Sequence, residues 1–371
     1  MHRRRTYSSS EFPEITCGGS SEISRVRFTF ERLYKLVRAA NMAFFMGDIT
    51  LAYSTLEDAL VLFKKLDNRK AIGIANNNLG NVMLTLYRAM KKTGAPTLCD
   101  MTRKKIIQKG CGYFRNAIDM GEEALTKIND DEGFSVNYLI FMQQLSNRYF
   151  NRAIFLLTVR NDHVDSSQAE MQGMMDIATC KDMDREVVDN GDQVGFKGDK
   201  EVYFELLMGR IKGLLLLMKL GYEDPWGIEE LFDEARSELQ SAMRTANDPL
   251  FSDMDPAGQM QRLDGALIEY HLYMAGKEDE ADHLEKASLI GIRMLVEDDY
   301  VIGEAALLAL RALLDSGLEA KGLDASDVRS ELFHCRHRIS EMLSLSYSGK
   351  DLVSRECFHA SNVGDFSMEA F

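Results

Sequence analysis

The segment from Ala71 to Leu86 constrains the fold of this chain most, because it combines a helical apolar stripe with small residues and asparagines. Two glycines, Gly73 and Gly80, interrupt the stripe at points where another helix can approach closely. The apolar side chains recur every three or four residues, at Ile72, Ala75, Leu79, Val82, Met83 and Leu86. This spacing predicts an amphipathic α-helix that packs against other helices.

Similar helical patterns follow along the chain, and the scarcity of proline favours an all-α protein. Only five prolines occur; four fall in predicted loops or tails, and Pro256 begins a predicted helix. The sequence predicts about six helix pairs, enough for a continuous stacked core. After the first two pairs the predicted partners are Ser135–Arg160 with Asp165–Val188 (the poorest match), Val202–Leu220 with Ile228–Thr245, Pro256–Ala275 with Glu278–Leu295, and Tyr300–Ser316 with Ser326–Leu345.

A fixed order of small and large apolar residues recurs in the first two helix pairs. It appears at Ala52, Leu56 and Ala59, and returns at Phe114, Ala117, Gly121 and Ala124 after the helix that contains Leu79 and Gly80. This order resembles the tetratricopeptide repeat, which implies a right-handed α-solenoid. The resemblance covers about 36–127 well. It departs in the second repeat, where the 31 residues from Met83 to Phe114 require longer helices or a loop.

The resemblance also predicts a binding surface. It implies that Asn77, Asn78 and Asn81 lie on the concave side of the solenoid, and the next inner helix adds Gln144, Asn147, Arg148 and Asn151. Amide side chains both donate and accept hydrogen bonds, so such a surface suits a peptide backbone. The alternative is that these side chains cap turns or stack between repeats.

The two ends of the chain differ from the repeat region at 39–345. Residues 1–20 are predicted to be a disordered tail, 21–38 an amphipathic helix and 346–371 a C-terminal tail. Residues 21–33 resemble the second helix of HAMP signalling linkers at Glu22, Ile23, Val26, Phe30 and Leu33. That resemblance implies a dimer through this helix; the alternative is an N-terminal capping helix.

Charge and cysteine usage exclude several classes of partner. Residues 1–160 carry 24 Lys and Arg against 15 Asp and Glu, whereas residues 161–371 carry 20 against 43. This balance disfavours nucleic acid as the main partner. Six cysteines without a CxxC pair indicate a reducing, cytoplasmic environment, with a transit peptide at the basic N-terminus as the alternative. No apolar run is long enough for a membrane span.

Motifs for catalysis and cofactors are not evident in the sequence. His334 and His337 lie three residues apart but lack further zinc ligands nearby, and Asp182–Asp189 lacks the residues of a calcium loop. We therefore expect no cofactor, no metal and no enzymatic activity. The sequence predicts an interaction scaffold that binds a partner peptide or helix in its concave groove. A signalling module with a dimerising N-terminal helix is the alternative.

Overall fold

The computed structural model of the chain describes residues 35–44, 46–93, 101–132, 135–191, 200–224, 226–244, 256–277 and 280–296. The predicted tails, the HAMP-like segment 21–33 and the predicted sixth helix pair lie outside the described residues, as do His334 and His337.

Helices dominate the described ranges. Residues 35–44 are helical, and the helices that follow are α1 (Ile49–Lys65), α2 (Arg69–Thr93), α3 (Arg103–Glu132), α4 (Val136–Val159), α5 (Ser166–Gly191), α6 (Lys200–Lys219), α7 (Ile228–Arg244), α8 (Pro256–Ala275) and α9 (Glu280–Val296). A 3₁₀ turn, Arg160–Asp162, joins α4 to α5. No strand occurs in these ranges, so the all-α prediction is confirmed for them.

Short polar residues begin several of these helices. Asp48, Asn68 and Ser135 each accept a hydrogen bond from the backbone N–H three residues ahead, at 2.9, 3.1 and 3.2 Å. Such caps satisfy N–H groups that have no partner inside the helix. Gly47 supplies the turn before α1 with a φ of 90°, a conformation that costs glycine little.

Neighbouring helices pack against each other in succession, which confirms the solenoid-like arrangement. The contacts run from α1 to α2 and onward through α9 along most of this order. A second set of contacts joins alternate helices: α2 to α4, α4 to α6, and α6 to α8. We call these four the inner helices. Helix α5, predicted to be the poorest partner, packs along α4 and buries Ala169, Gly173, Ile177 and Cys180.

Close helix approach occurs at glycine, as the sequence predicts. A Cβ on Gly80 would lie only 2.5 Å from the ring of Phe114, and one on Gly110 would lie 2.2 Å from the ring of Phe155. The two phenylalanine rings are in turn neighbours, with centroids 5.4 Å apart. In both cases a phenylalanine of one helix fills the space over a glycine of the helix before it.

The long interval between Met83 and Phe114 is absorbed mainly by helix. Helix α2 continues to Thr93, and α3 begins at Arg103. The two helices are 25 and 30 residues long and pack closely against each other. Of the two alternatives that the sequence left open, lengthened helices account for most of the interval.

Candidate functional site

Helix α2 is the centre of the core rather than a surface helix. Every residue from 73 to 87 is buried, although an amphipathic surface helix would leave one side in water. Asn77, Asn78 and Asn81 each have 0% exposure. The tetratricopeptide resemblance implied an open concave surface for these three asparagines, but in the structure they are buried. Their contact with a partner peptide stays a prediction.

One of these asparagines, Asn77, contacts α4. The Asn151 side-chain N–H donates to the Asn77 Oδ1 at 3.2 Å, which joins two inner helices. The second polar atom of each amide, Asn77 Nδ2 and Asn151 Oδ1, has no hydrogen-bond partner within the described part of the chain. One turn further along α2, both polar atoms of the Asn81 amide are also without a partner there.

Helix α4 continues this line of polar atoms. Gln144, Asn151 and Thr158 are spaced by seven residues, so they project from nearly the same side of the helix. Each has a buried oxygen with no partner among the residues that the structure describes. We call Asn77, Asn81, Gln144, Asn151 and Thr158 the amide stripe. At a rise of about 1.5 Å per residue, its α4 part is about 21 Å long.

These unpaired atoms are energetically unusual. A buried polar group without a partner costs about 1–3 kcal/mol, so native proteins hold few of them. Here most of them belong to side chains of α2 and α4, and they include both donors and acceptors. The arrangement can therefore bind a molecule that donates and accepts hydrogen bonds, such as a peptide backbone or ordered water.

The remaining predicted site residues are directed elsewhere. Asn78 makes a different contact: its side-chain N–H donates to Asn41 Oδ1, in the helix of residues 35–44, at 3.1 Å. Asn147 Oδ1 accepts from the Arg210 guanidinium of α6 at 3.2 Å. Arg148 reaches towards α3 and donates to the Ala117 carbonyl at 2.8 Å. These three residues hold helices together rather than extend the amide stripe.

Arg210 is the main buried polar residue that sequence reasoning missed. It is 1% exposed and donates to Ser146 Oγ at 3.1 Å and to Asp184 Oδ2 at 3.2 Å, in addition to Asn147. Its guanidinium carbon lies 4.4 Å from the centre of the Phe150 ring. The charge is thus paired and hydrogen-bonded on several sides, as burial requires. Its place inside a helical pattern gave no signal of this network.

The described cysteines are poor nucleophiles in these surroundings. Burial raises the pKa of the Cys180 thiol, so the reactive thiolate is scarce at neutral pH. Burial also raises the pKa of Cys111, although Arg115 and Arg152 act in the opposite direction. The Cys111 sulfur lies 3.7 Å from His163 Nε2, but the raised pKa of the thiol means that this contact does not activate it as a nucleophile. Neither site indicates cysteine catalysis.

A contact between two histidines is a further feature that the sequence did not indicate. His271 on α8 and His283 on α9 bring their Nδ1 atoms to 3.1 Å. Within the described ranges, no group of three or more His, Cys, Asp or Glu side chains is arranged to hold a metal ion. In the same ranges no helix is both long enough and apolar enough to cross a bilayer. Asp182–Asp189 lies inside helix α5, which is not the geometry of a calcium loop.

Comparison with known proteins does not assign the chain to a family. No family model matches the sequence, and no curated protein matches it. The tetratricopeptide and HAMP resemblances therefore stay predictions.

Proposed function

We propose that this protein is a non-enzymatic scaffold of the tetratricopeptide type that binds an extended peptide of a partner along its inner helices. The amide stripe is the observation that carries the proposal. Five side chains of α2 and α4 present buried donors and acceptors without partners in the described part of the chain. A bound peptide backbone would supply both kinds of partner, which would offset the cost of burying these groups.

The dimensions of the stripe suggest the size of the ligand. An extended chain rises about 3.3 Å per residue, so a stripe about 21 Å long matches a segment of about six residues. The atoms of the stripe are buried, and the site is therefore closed in this structure. Binding requires the inner surface to open. Ordering the peptide and opening the inner surface both cost free energy, so we expect a weak or moderate affinity.

Replacement of Asn81 by leucine or alanine tests the proposal with two measurements. Peptides are first selected from a random display library against the full chain, and their affinity is then measured by fluorescence anisotropy. We expect both variants to bind at least tenfold more weakly. We also expect Asn81→Leu to retain or increase thermal stability, because it removes two unpaired buried polar atoms.

Asn116 provides the matched control, because it is an exposed asparagine on α3. Asn116→Leu and Asn116→Ala are expected to leave peptide affinity unchanged. A clear loss of stability in both Asn81 variants, with unchanged affinity, would show that the amide has a structural role only. Failure to select any peptide that distinguishes Asn81 from Asn116 variants would reject the proposal.

A dimeric signalling module is the second candidate, and exposed apolar residues at the N-terminal end favour it. Met42, Met46 and Leu51 are 59%, 79% and 52% exposed on the first described helix pair. These three side chains lie within ten residues of the sequence, and an interface would cover apolar surface that is otherwise in water. Light scattering on the full chain and on a chain lacking residues 22–33 tests this candidate. A dimer that becomes a monomer supports it, whereas a monomer in both cases rejects it.

A further inference from the structure

The His271–His283 contact joins the last described helix pair and can exist only in certain protonation states. The two Nδ1 atoms are 3.1 Å apart, and the ring centroids are 5.3 Å apart. An imidazole nitrogen either carries a proton and donates or has a lone pair and accepts. One Nδ1 must therefore donate and the other must accept. If both nitrogens carry protons, the hydrogen bond is lost and two positive charges face each other.

The surroundings of the pair explain why the second proton is unfavourable. Burial is the largest effect on His271 and lowers its pKa to about 4, followed by repulsion from His283 and from Lys286 of α9. Glu229 of α7 and Asp282 of α9 act in the opposite direction but do not outweigh these effects.

Both nearby carboxylates already have partners. Glu229 accepts a hydrogen bond from the Tyr270 hydroxyl at 2.8 Å, and Asp282 lies 2.6 Å from Lys286. They are thus engaged with other groups rather than dedicated to neutralising a doubly charged histidine pair. The Tyr270 ring also packs edge-on against His283, with centroids 6.5 Å apart, which covers the pair on one side with an aromatic surface.

We propose that the His271–His283 pair is a pH-sensitive clasp that holds α9 against α8 near neutral pH and releases it under acid. The first added proton preserves the clasp, because one charged ring can still donate to one neutral ring. The second proton removes the acceptor and adds repulsion. The clasp is independent of the peptide site, since it involves α8 and α9 rather than α2 and α4.

The direction of the pH dependence follows from the lowered pKa. In the unfolded chain His271 takes up its proton near its ordinary pKa of 6.5, whereas in the folded chain it does so near 4. The contribution of the pair is therefore complete above pH 6.5 and declines as the pH falls from 6.5 to 4. The shift means that the folded chain binds this proton at most about 300-fold more weakly than the unfolded chain. Solvent screening reduces this factor, because the His271 ring is only half-buried.

Hydrogen–deuterium exchange on the full chain tests the clasp. Exchange is measured at pH 7.0 and pH 4.5 and is corrected for the intrinsic pH dependence of amide exchange. We expect peptides from α8 and α9 to lose at least tenfold in protection at pH 4.5, while α4 keeps its protection. The single tryptophan, Trp226, is 8% exposed and reports by its fluorescence whether the remaining core stays intact.

Two double variants remove the titration in different ways. His271→Gln with His283→Gln keeps polar side chains, whereas His271→Leu with His283→Leu gives an apolar contact. In each double variant that folds, we expect α8 and α9 to have equal protection from exchange at pH 7.0 and pH 4.5. His163→Gln is the control and should keep the response of the natural protein, because His163 lies in the loop between α4 and α5.

Three results would overturn the proposal. One is equal protection of α8 and α9 at pH 7.0 and pH 4.5 in the natural protein. Another is loss of protection everywhere at once, with a simultaneous change in Trp226 fluorescence. The third is an undiminished pH response in a folded double variant.

Discussion

Gly80→Ala tests whether the contact between α2 and α3 depends on the missing side chain. The new Cβ would lie 2.5, 2.6 and 2.7 Å from three atoms of the Phe114 ring. Carbon atoms prefer separations of about 3.5–4.0 Å, so the ring would have to retreat by about 1 Å. Phe114 is completely buried, and Phe155 lies next to it, which leaves the ring little room.

Two effects of opposite sign decide the outcome of this substitution. Alanine is favoured over glycine within a helix by about 1 kcal/mol. Overpacking of a core costs about 1–3 kcal/mol. The added Cβ would make three contacts below 3.0 Å, so we place the cost of Gly80→Ala at the upper end of this range. We therefore expect a net loss of about 2 kcal/mol in the free energy of unfolding, and a Tm lower by roughly 4 °C.

Gly112→Ala is the matched control for this prediction. Gly112 lies in α3, and a Cβ there would meet no atom within 4 Å. Only the helix-propensity effect remains, so this variant should gain up to about 1 kcal/mol. Urea unfolding followed by far-ultraviolet circular dichroism and Trp226 fluorescence measures both variants. A Gly80→Ala protein as stable as Gly112→Ala would refute the packing argument.

Two further substitutions test buried polar pairs. Asn151→Leu is expected to lower the free energy of unfolding by about 1–3 kcal/mol, because it leaves the Asn77 oxygen without its donor at 3.2 Å. Thermal unfolding of this variant beside Asn116→Leu measures the difference. An unchanged Tm would contradict the hydrogen bond between Asn151 and Asn77. Arg152→Leu is expected to cost about 3–5 kcal/mol, because it removes two 2.7 Å hydrogen bonds from Asp176, which is 1% exposed. Urea unfolding beside Asn116→Leu measures this loss, and an unchanged free energy of unfolding in Arg152→Leu would contradict a stabilising ion pair between Arg152 and Asp176.

The helices and several of their contacts could be predicted from the sequence, because they depend on local patterns. Apolar spacing of three and four residues located α2 and α4, and capping residues such as Asn68 and Ser135 coincide with helix starts. The prediction of a close approach at Gly80 needed only the absence of a side chain in an apolar stripe. These features are short-range, so no knowledge of distant residues was required.

The candidate site could be predicted only in part. Sequence reasoning selected Asn77 and Asn151, which the structure brings together, but it placed the α2 asparagines on an open surface, whereas they are buried. Asn78 belongs to a different contact, with Asn41. Each residue of a helix is rotated by about 100° from the last, so adjacent asparagines face different neighbours. The local sequence of α2 does not reveal how many helices surround it.

The sequence by itself determined that this chain forms successive helices, where most of them begin and end, and where small residues permit close packing. Tertiary structure alone decided that α2 is buried all round, that Arg210 is enclosed by α4 and α5, and that His271 meets His283. The physical reason is the range of the interactions. Helix formation is governed by residues a few positions apart, whereas burial and hydrogen-bond partners depend on side chains supplied by other helices.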